Sequence, residues 1–528
     1  MRSRLGLAVA LLFPCGGCLV GPNFSEPSAP VAEKWLEADN PSVDTRNQEY
    51  RDWWTVFHDP VLNRLIETAY NQNLTLVSAG TQVLEARAQL GVAIGEFYPQ
   101  VQQGTGELTY IRPSHADTTR FPISVTRNFW RDALGLTVNW ELDFWGKFRR
   151  AIESADASYL ASIANYDYVL ATLLGDVAST YIGIRTLQTQ IEIARENIVK
   201  QKKSLAIATA KYQGGTATKL DVYQAENVLA QTESTIPQLT IQLNQGFNAL
   251  AVLLGMPPQP MEPLLAGSSG IPVPPKTVAV GIPADLVRRR PDIRAAELAA
   301  MAQGAQIGIA EANLYPAFSL TGTFGTGSSN VGRSKLKRVF EARGITFAFG
   351  PAFQWNILNY GQITNQVRVE DAALQTLLVD YQNAVLTAQQ DVENGLTSFL
   401  QGREQVDYLR ESVAAANAAL GIALLQYNLG TRDFTTVLTA EQNLYTAQNN
   451  LAIAEGNVST GLASVYRALG GGWQIRADNE FVPAAAAEEM RQRTNWGELL
   501  PPSGTPQPPA PALPTPVDVS PNPRPPEW

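Results

Sequence analysis

The stretch KYQGGTATKLDVYQAE, residues 211–226, returns later as QYNLGTRDFTTVLTAE, residues 426–441. Laid over each other the two pair Tyr212 with Tyr427, Gly215 with Gly430, Thr216 with Thr431, Val222 with Val437 and Glu226 with Glu441, each pair 215 positions apart. Each copy lies between two long Ala/Leu/Gln-rich segments that lack strand-like alternation. The glycines fall where a helix stops in left-handed backbone. Thr216-Ala-Thr218 and Thr431-Arg-Asp433 then supply N-cap residues ahead of a new apolar-periodic run. Each copy predicts the turn of a long helical hairpin. An ordinary bundle turn accounts for the Gly and Thr but not for the recurrence, so the chain reads as one unit written twice.

A second repeated feature precedes each hairpin. Leu134, Leu136, Val138, Trp140, Leu142 and Phe144 alternate with Gly135, Thr137, Asn139, Glu141 and Asp143. In the second half Ile345, Phe347, Phe349, Phe353, Trp355 and Ile357 alternate with small or polar residues. These are strands with one apolar and one polar face, close to the ~9 to 11 residues that cross a bilayer when tilted. Weaker partners at 100–111 and 317–326 make each a β-hairpin, with polar loops at 112–127 and 327–343, the second strongly basic. A soluble sandwich would also alternate, but the flanking helical segments offer no second sheet.

Matched turns, Trp140 to Gly146 and Trp355 to Gly361, lead directly into helices. The first carries apolar positions Tyr166, Val169, Leu173, Val177, Tyr181, Ile184, Leu187 and Ile191 in steps of three and four. Lys147 to Gln213 and Gln362 to Asn428 span roughly 100 Å at 1.5 Å per residue. Pro237 is expected to kink or divide the first return helix, where the second has Ala452. Trp53, Trp54, Phe57, Leu62, Leu65 and Ile66 form an apolar helical stripe read as core. Helices run into Tyr98-Pro99 and Tyr315-Pro316. Beyond Pro501 the tail holds 12 prolines in 28 residues and is expected to be disordered.

Arg2 and Arg4 precede an apolar run, Leu5 to Phe13, and then Pro14-Cys15-Gly16-Gly17-Cys18, predicting an export signal cut before Cys18 with lipid on that sulfur. Cys15 makes the lipobox imperfect. Leu19, in place of an Asp, predicts outer-membrane sorting. With Cys15 and Cys18 the only cysteines, no disulfide framework is left for the body. A net charge of −9 without a basic, aromatic-laced stripe excludes nucleic acid as an expected partner. His58 and His115 stand in no metal-ligand spacing, so neither metal nor cofactor is expected, and no nucleophile elbow or phosphate-binding glycine loop points to an enzyme. GTGSSN at 325–330 is read as a barrel loop.

Four strands cannot close a barrel, and an open edge in lipid leaves backbone groups unsatisfied. The barrel must be shared between chains: two copies give eight strands, three give twelve, and the sequence does not count them.

The Cys18-to-Phe24 run CLVGPNF, the RDWW run with Phe57 and Asp59-Pro60, RRRPDI, the two tip motifs and ALGGGW together resemble the outer-membrane factor family, the TolC-type channels. The resemblance covers residues 18 to about 475 and is nearest to the lipidated, NodT-like branch that works with resistance-nodulation-division pumps. It implies an α+β fold: a homotrimer with a four-strands-per-chain transmembrane antiparallel β-barrel and a long α-helical coiled-coil barrel. The implied function is an outer-membrane exit duct, passively conducting small molecules such as drugs. Its implied partners are a periplasmic adaptor, an inner-membrane pump and outer-membrane lipid.

On this reading 1–17 is signal peptide; 18–98 lipid anchor, equatorial segment and first helix; 99–144 the first β-hairpin; and 145–255 the first helical hairpin. A connector follows at 256–290, then a helix at 291–315, the second β-hairpin at 316–358, the second helical hairpin at 359–473, and an equatorial and Pro-rich tail at 474–528. The resemblance assigns Asp221, Tyr427 and Arg432 to a closed-state lock, and Gly215, Thr216, Gly430 and Thr431 to adaptor-docking tips. Thr436 and Thr439 stand where the family's acidic constriction is expected, so either a strong cation filter is missing or Asp433 supplies the ring. A protein-secretion conduit shares the architecture. A lipid-tethered coiled-coil scaffold would need no polar strand face.

Overall fold

The computed structural model describes residues 19–500 except 47–49, 113–127, 332–334 and 478. Cys18, most of the first barrel loop and the tail beyond 500 lie outside the described residues. In chain order the elements are β1 (Val43–Asp44), α1 (Pro60–Gln72), α2 (Leu74–Glu96), β2 (Val101–Ile111), β3 (Phe129–Leu142), α3 (Lys147–Gln213), α4 (Lys219–Leu253) and α5 (Glu262–Leu265). The second half supplies β4 (Val278–Ala279), α6 (Pro283–Arg289), α7 (Pro291–Ala312), β5 (Ala317–Ser329), β6 (Ile345–Gln354), α8 (Gln362–Asn428), α9 (Phe434–Ala468) and α10 (Ala484–Arg493). The duplication holds residue for residue in the long elements: α3 and α8 are each 67 residues, α4 and α9 each 35.

Near the tips each 67-residue helix packs against its own return helix, α4 or α9. Nearer the sheet its partners are the shorter helices, with α7 seated between α3 and α8 and α2 on α3. The junctions are twinned as well. The Trp140 indole N–H donates to Phe97 O at 3.2 Å, and that of Trp355 to Leu314 O at 2.9 Å, tying the end of each membrane strand to the helix before the hairpin.

The sheet has four antiparallel strands in the order β2-β3-β5-β6, so the two hairpins meet through β3 and β5. The register puts Leu134, Leu136, Val138 and Trp140 on one face with Leu320, Phe324, Phe347, Phe349 and Phe353. Thr105, Thr137, Asn139, Thr321, Thr323, Thr346 and Gln354 share the other. The apolar face is bare: Phe347, Phe349 and Phe353 are 79%, 77% and 71% exposed. Among the described residues, β2 and β6 each pair on one side only.

The strands differ from expectation at their ends. β3 begins at Phe129, and it stops at Leu142 because the Phe144 N–H turns back to Leu142 O at 2.8 Å. Asp143 is then freed to accept from the N–H groups of Phe148 and Arg149 at the start of α3 (2.8 and 3.2 Å). β6 stops at Gln354, where Ile357 turns back to Trp355 O in the same way. Gly325 to Ser329, read as loop, is strand. Pro237 does not divide α4: it sits on an exposed side, where water can satisfy the carbonyl its ring leaves unpaired. The Trp53 stripe forms a short 3-10 turn, Trp53–Phe57, before α1 begins on the Asp59 cap, Asp59 Oδ1 accepting from Val61 at 2.8 Å.

Midway along the helices a belt of aromatic and aliphatic side chains, among them Trp35, Trp53, Phe57, Tyr181 and Tyr466, forms the main core. Two motifs find their reason there. Arg290 of RRRPDI is 7% exposed, grips Asp292 through two bonds of 3.0 and 2.7 Å, and donates to Ala468 O, the last carbonyl of α9, at 2.9 Å. The glycines of ALGGGW pass too close for side chains: a Cβ on Gly472 (φ +99°) would lie 2.6 Å from the Leu174 side chain.

The N-terminal stretch is fixed at the sheet–helix junction. The Val20 N–H donates to Trp145 O (3.1 Å), and the buried Arg150 guanidinium donates to Val20 O (3.1 Å), Gly21 O (3.1 Å) and Asn23 Oδ1 (2.9 Å). From there the chain descends along α8, its Ala32 and Leu36 N–H groups donating to Gln389 Oε1 and Glu393 Oε1 (2.9 and 2.8 Å). It reaches the core belt as β1, which pairs in parallel with β4.

Candidate functional site: the paired hairpin tips

Identical backbone bonds build both tips. After α3, Gly215 N–H donates to Tyr212 O (3.0 Å) and Thr216 N–H to Lys211 O (2.9 Å); after α8, Gly430 donates to Tyr427 O (3.1 Å) and Thr431 to Gln426 O (3.0 Å). This pair of bonds is the Schellman stop, and it needs the left-handed backbone found at Gly215 (φ +76°) and Gly430 (φ +74°). The Thr216 and Thr431 hydroxyls reinforce the same carbonyls at 3.1 Å each. Both glycines face open space and both threonines are exposed.

The caps that follow differ. Thr218 and Asp221 form a capping box, Thr218 N–H donating to Asp221 Oδ2 (2.9 Å) and Asp221 N–H to Thr218 Oγ1 (3.3 Å). On the second tip Asp433 is exposed and accepts from the Thr436 hydroxyl at 2.7 Å. The hydroxyls of Thr436 and then Thr435 hold its carboxyl below the usual range. Thr439 turns its hydroxyl to Thr435 O (2.8 Å).

The twins also part in packing. Tyr212 is 43% exposed and Tyr427 6%. Tyr427 rests on Phe434, ring centroids 4.9 Å apart, where the first tip has Lys219. Ala208, Ala225, Val228, Val437 and Leu438 complete a small core that joins the two hairpins near their tips. Lys211 ties it shut: its ammonium donates to Tyr427 O at 2.6 Å and sits 4.2 Å from the centre of the Tyr427 ring. Sequence reasoning missed Lys211. Its one signal was a cation at the first position of one motif against Gln426 in the other.

Of the three expected lock residues, Tyr427 alone is buried in the joint between the hairpins, while Asp221 is held by the capping box on the first tip. The Tyr427 hydroxyl is raised above its ordinary value by burial first and by the Asp221 charge second. It has no hydrogen-bond partner among the described residues. Arg432 is exposed on the turn, and among the described residues no ion pair joins it to Asp221 of the same chain.

Comparison with known proteins agrees with this architecture. The family model for "Outer membrane efflux protein" matches residues 65–256 and 282–471, one segment for each half. The chain belongs to the outer membrane efflux protein family. Nodulation protein T of Rhizobium leguminosarum bv. viciae is 30% identical over 446 residues, 84% of this chain and 88% of that protein. The solvent efflux pump outer membrane protein SrpC of Pseudomonas putida is 30% identical over 483 residues, covering 89% and 98%. Among solved structures, the outer-membrane channel OprN superposes with a TM-score of 0.79 at 30% identity, over 87% of this chain and 100% of that one.

In this efflux-family chain the two hairpins are also joined above the tips by a buried polar seam between α3 and α9. Gln190 donates to Asn449 Oδ1 (2.8 Å), Asn197 to Gln448 Oε1 (2.7 Å), and the Ser204 hydroxyl to Glu441 Oε1 (2.5 Å). Glu441 is 2% exposed, whereas its twin Glu226 is exposed. Glu441 Oε2 and both amide atoms of Gln201 lack partners among the described residues. Burial raises the Glu441 carboxyl above its ordinary 4.5, against the opposing hydrogen bond from Ser204.

Two outcomes follow from this geometry. Lys211→Met keeps the aliphatic stem but removes a charge-assisted bond of roughly 1.5–3 kcal/mol, so amide exchange across 427–434 should speed by on the order of tenfold or more; unchanged exchange would refute the tie. Because the folded-state pKa of Glu441 is raised, its contribution to the seam is full below 4.5 and is lost as pH rises through the raised value. Glu441→Gln should therefore abolish the loosening that wild type shows as pH climbs from 4.5 toward neutrality, read as the separation of spin labels on α3 and α9. A variant that still loosens over that range would assign the pH response elsewhere.

Proposed function

We propose that three copies of this chain form a passive exit duct through the outer membrane, closed at the hairpin tips until an adaptor and an inner-membrane pump dock there. The observation that carries this reading is the four-stranded sheet with one apolar and one polar face and two free edges. Unpaired backbone in lipid costs several kcal/mol per group, so the sheet must close on further copies. The template for closure lies within the chain. β3 meets β5, Trp145 stacks on Tyr315 with centroids 4.6 Å apart, and α3 packs on α7. The equivalents left over are β6 with β2, Tyr360 with Tyr98, and α8 with α2, and Tyr360 is 96% exposed. Repeating the internal contact between three chains, the number that the family uses, gives six equivalent units and twelve strands around a lumen lined by the threonine-rich face.

On this reading the chain is a conduit and not an enzyme. Efflux of solvents by the relative SrpC supports small molecules as its cargo. Asp221 and Tyr427 form one half of the lock and Arg432 meets Asp221 of a neighbouring copy. The exposed tips carrying Gly215, Thr216, Gly430 and Thr431 receive the adaptor. The Thr436 and Thr439 hydroxyls are satisfied locally, which leaves the ionised Asp433 as the charge available for a constriction ring. Val20, two positions after Cys18 in the sequence, is fixed to Trp145 at the sheet–helix junction, where an aromatic belt meets the inner leaflet, and this supports lipid attachment at Cys18.

In a planar bilayer, wild type should show a small single-channel conductance that rises in Arg432→Ala and in Asp221→Ala, with vancomycin sensitivity of cells rising in parallel. Equal conductance and equal sensitivity in all three proteins would remove the lock assignment, and no conductance from any of them would remove the duct. Cys18→Ser should lose palmitate label completely; retained label would move the acyl chain to another residue.

A further inference from the structure

We propose that the outer rim of the sheet carries a binding site for phosphate-bearing lipid headgroups of the outer leaflet, built by residues 335–343 between β5 and β6. The proposal rests on the duct reading for the direction in which the two sheet faces look. The rim that bears Trp130, Ser328 and Ile345 is the one remote from the helices, so it is the outer one.

The loop does not project from this rim. It folds back over the apolar face. Leu336–Phe340 forms a 3-10 turn that packs on β5 and β3. Ser328 Oγ lies 2.6 Å from both Leu336 O and Asp132 Oδ1, its one proton shared between them, and the Thr326 hydroxyl donates to Val339 O at 2.5 Å. Ser328 and Thr326 share the face of Leu134 and Phe324 by register. Val339 is buried against the sheet, whereas Phe340 is 83% exposed. The loop therefore occupies the lipid-facing side at headgroup depth, held there by an apolar plug and two hydroxyl contacts.

What it presents at that depth is positive charge. Lys335, Lys337 and Arg343 are exposed and have no carboxylate partner among the described residues, and Arg338 adds a fourth cation, against Glu341 of the loop and Asp132 of β3, which accepts from Ser328. Cations beside an exposed aromatic ring are the signature of a surface lodged between headgroups and acyl chains: the ring enters the apolar layer while the charges remain at the phosphates. Arg and Lys bind phosphate oxygens by charge-assisted hydrogen bonds. The turn lies over β5 and β3, away from the free edges of β2 and β6, so closure of the ring leaves it uncovered.

The test uses the full-length protein in phosphatidylcholine vesicles containing either bis-phosphorylated lipid A or its dephosphorylated form, with co-purifying lipid counted by native mass spectrometry. Wild type should retain the phosphorylated form preferentially. Lys335→Gln/Lys337→Gln/Arg343→Gln should lower that retention at least ~10-fold, the summed effect expected of three surface cations at an anionic interface. Phe340→Ser should weaken retention of both forms alike. Equal retention by wild type and the triple variant, or no preference by wild type between the two forms, would overturn the site. Conductance in vesicles of phosphatidylcholine alone separates the two readings. If it is equal in wild type and the triple variant, any loss of lipid retention belongs to the loop; if it is absent in wild type, the duct itself fails.

Discussion

Backbone hydrogen bonding at the edges of one small sheet sets the terms for the rest of this molecule. Strands β2 and β6 each have a free side, and in hydrocarbon no water can serve it. A soluble protein could cover such edges with a helix or loop; a membrane sheet has to close. Closure by copies of itself is efficient here because the chain already contains the contact it must make. The β3–β5 pairing, with its Trp145–Tyr315 stack below, solves the geometry once inside the chain. The long helices inherit the same rotation, since each grows from a membrane strand through a tight turn.

Duplication supplies the frame, and its breaking supplies the joint between the two hairpins. Where the halves agree, as in the 67-residue helices, the Schellman turns and the Trp140 and Trp355 ties, they carry architecture. Where they differ, they carry the contacts that join one hairpin to the other. Tyr427 is buried where Tyr212 is exposed, Phe434 replaces Lys219, and Glu441 is enclosed where Glu226 faces solvent. The bonds that join the hairpins are polar or half-satisfied: a lysine on a carbonyl, amides paired across α3 and α9, and a carboxyl with one oxygen unpartnered. An all-apolar seam would be harder to open, because parting it would expose apolar surface to water. A polar seam exchanges its partners for water at smaller net cost.

Much of this was legible in the sequence because it rests on local rules. The turn and tip motifs gave the two long helices to the residue, alternation gave the strands, and the glycines gave the tips. The misses include the Trp53 stripe, which folds as a 3-10 turn, and residues 325–329, which are strand, and two others have plain physical causes. Strand ends were set by chain reversal at Phe144 and Ile357, which the alternation runs straight through. Pro237 was judged from its missing N–H alone, although its exposed setting is what lets the helix continue. The candidate site was half legible. The motif drew attention to Tyr427 and Asp221, but Lys211 acts on a residue 216 positions away and Gln190 on one 259 away. No pattern within one segment encodes such pairings.

The N-terminal strap has a consequence for the order in which the molecule is assembled. Ala32 and Leu36 hydrogen-bond to side chains of α8, each 357 residues further on. Arg150, which grips Val20 and Gly21, is itself about 130 residues downstream. The strap at 32–44 is thus among the last segments to find its seat, since Gln389, Glu393 and β4 do not exist until the second half has been made. Contacts of such separation form late, because the intervening loop must first be closed. The strap therefore behaves as a final fastening, drawn from the membrane rim to the core belt once the two repeats have docked.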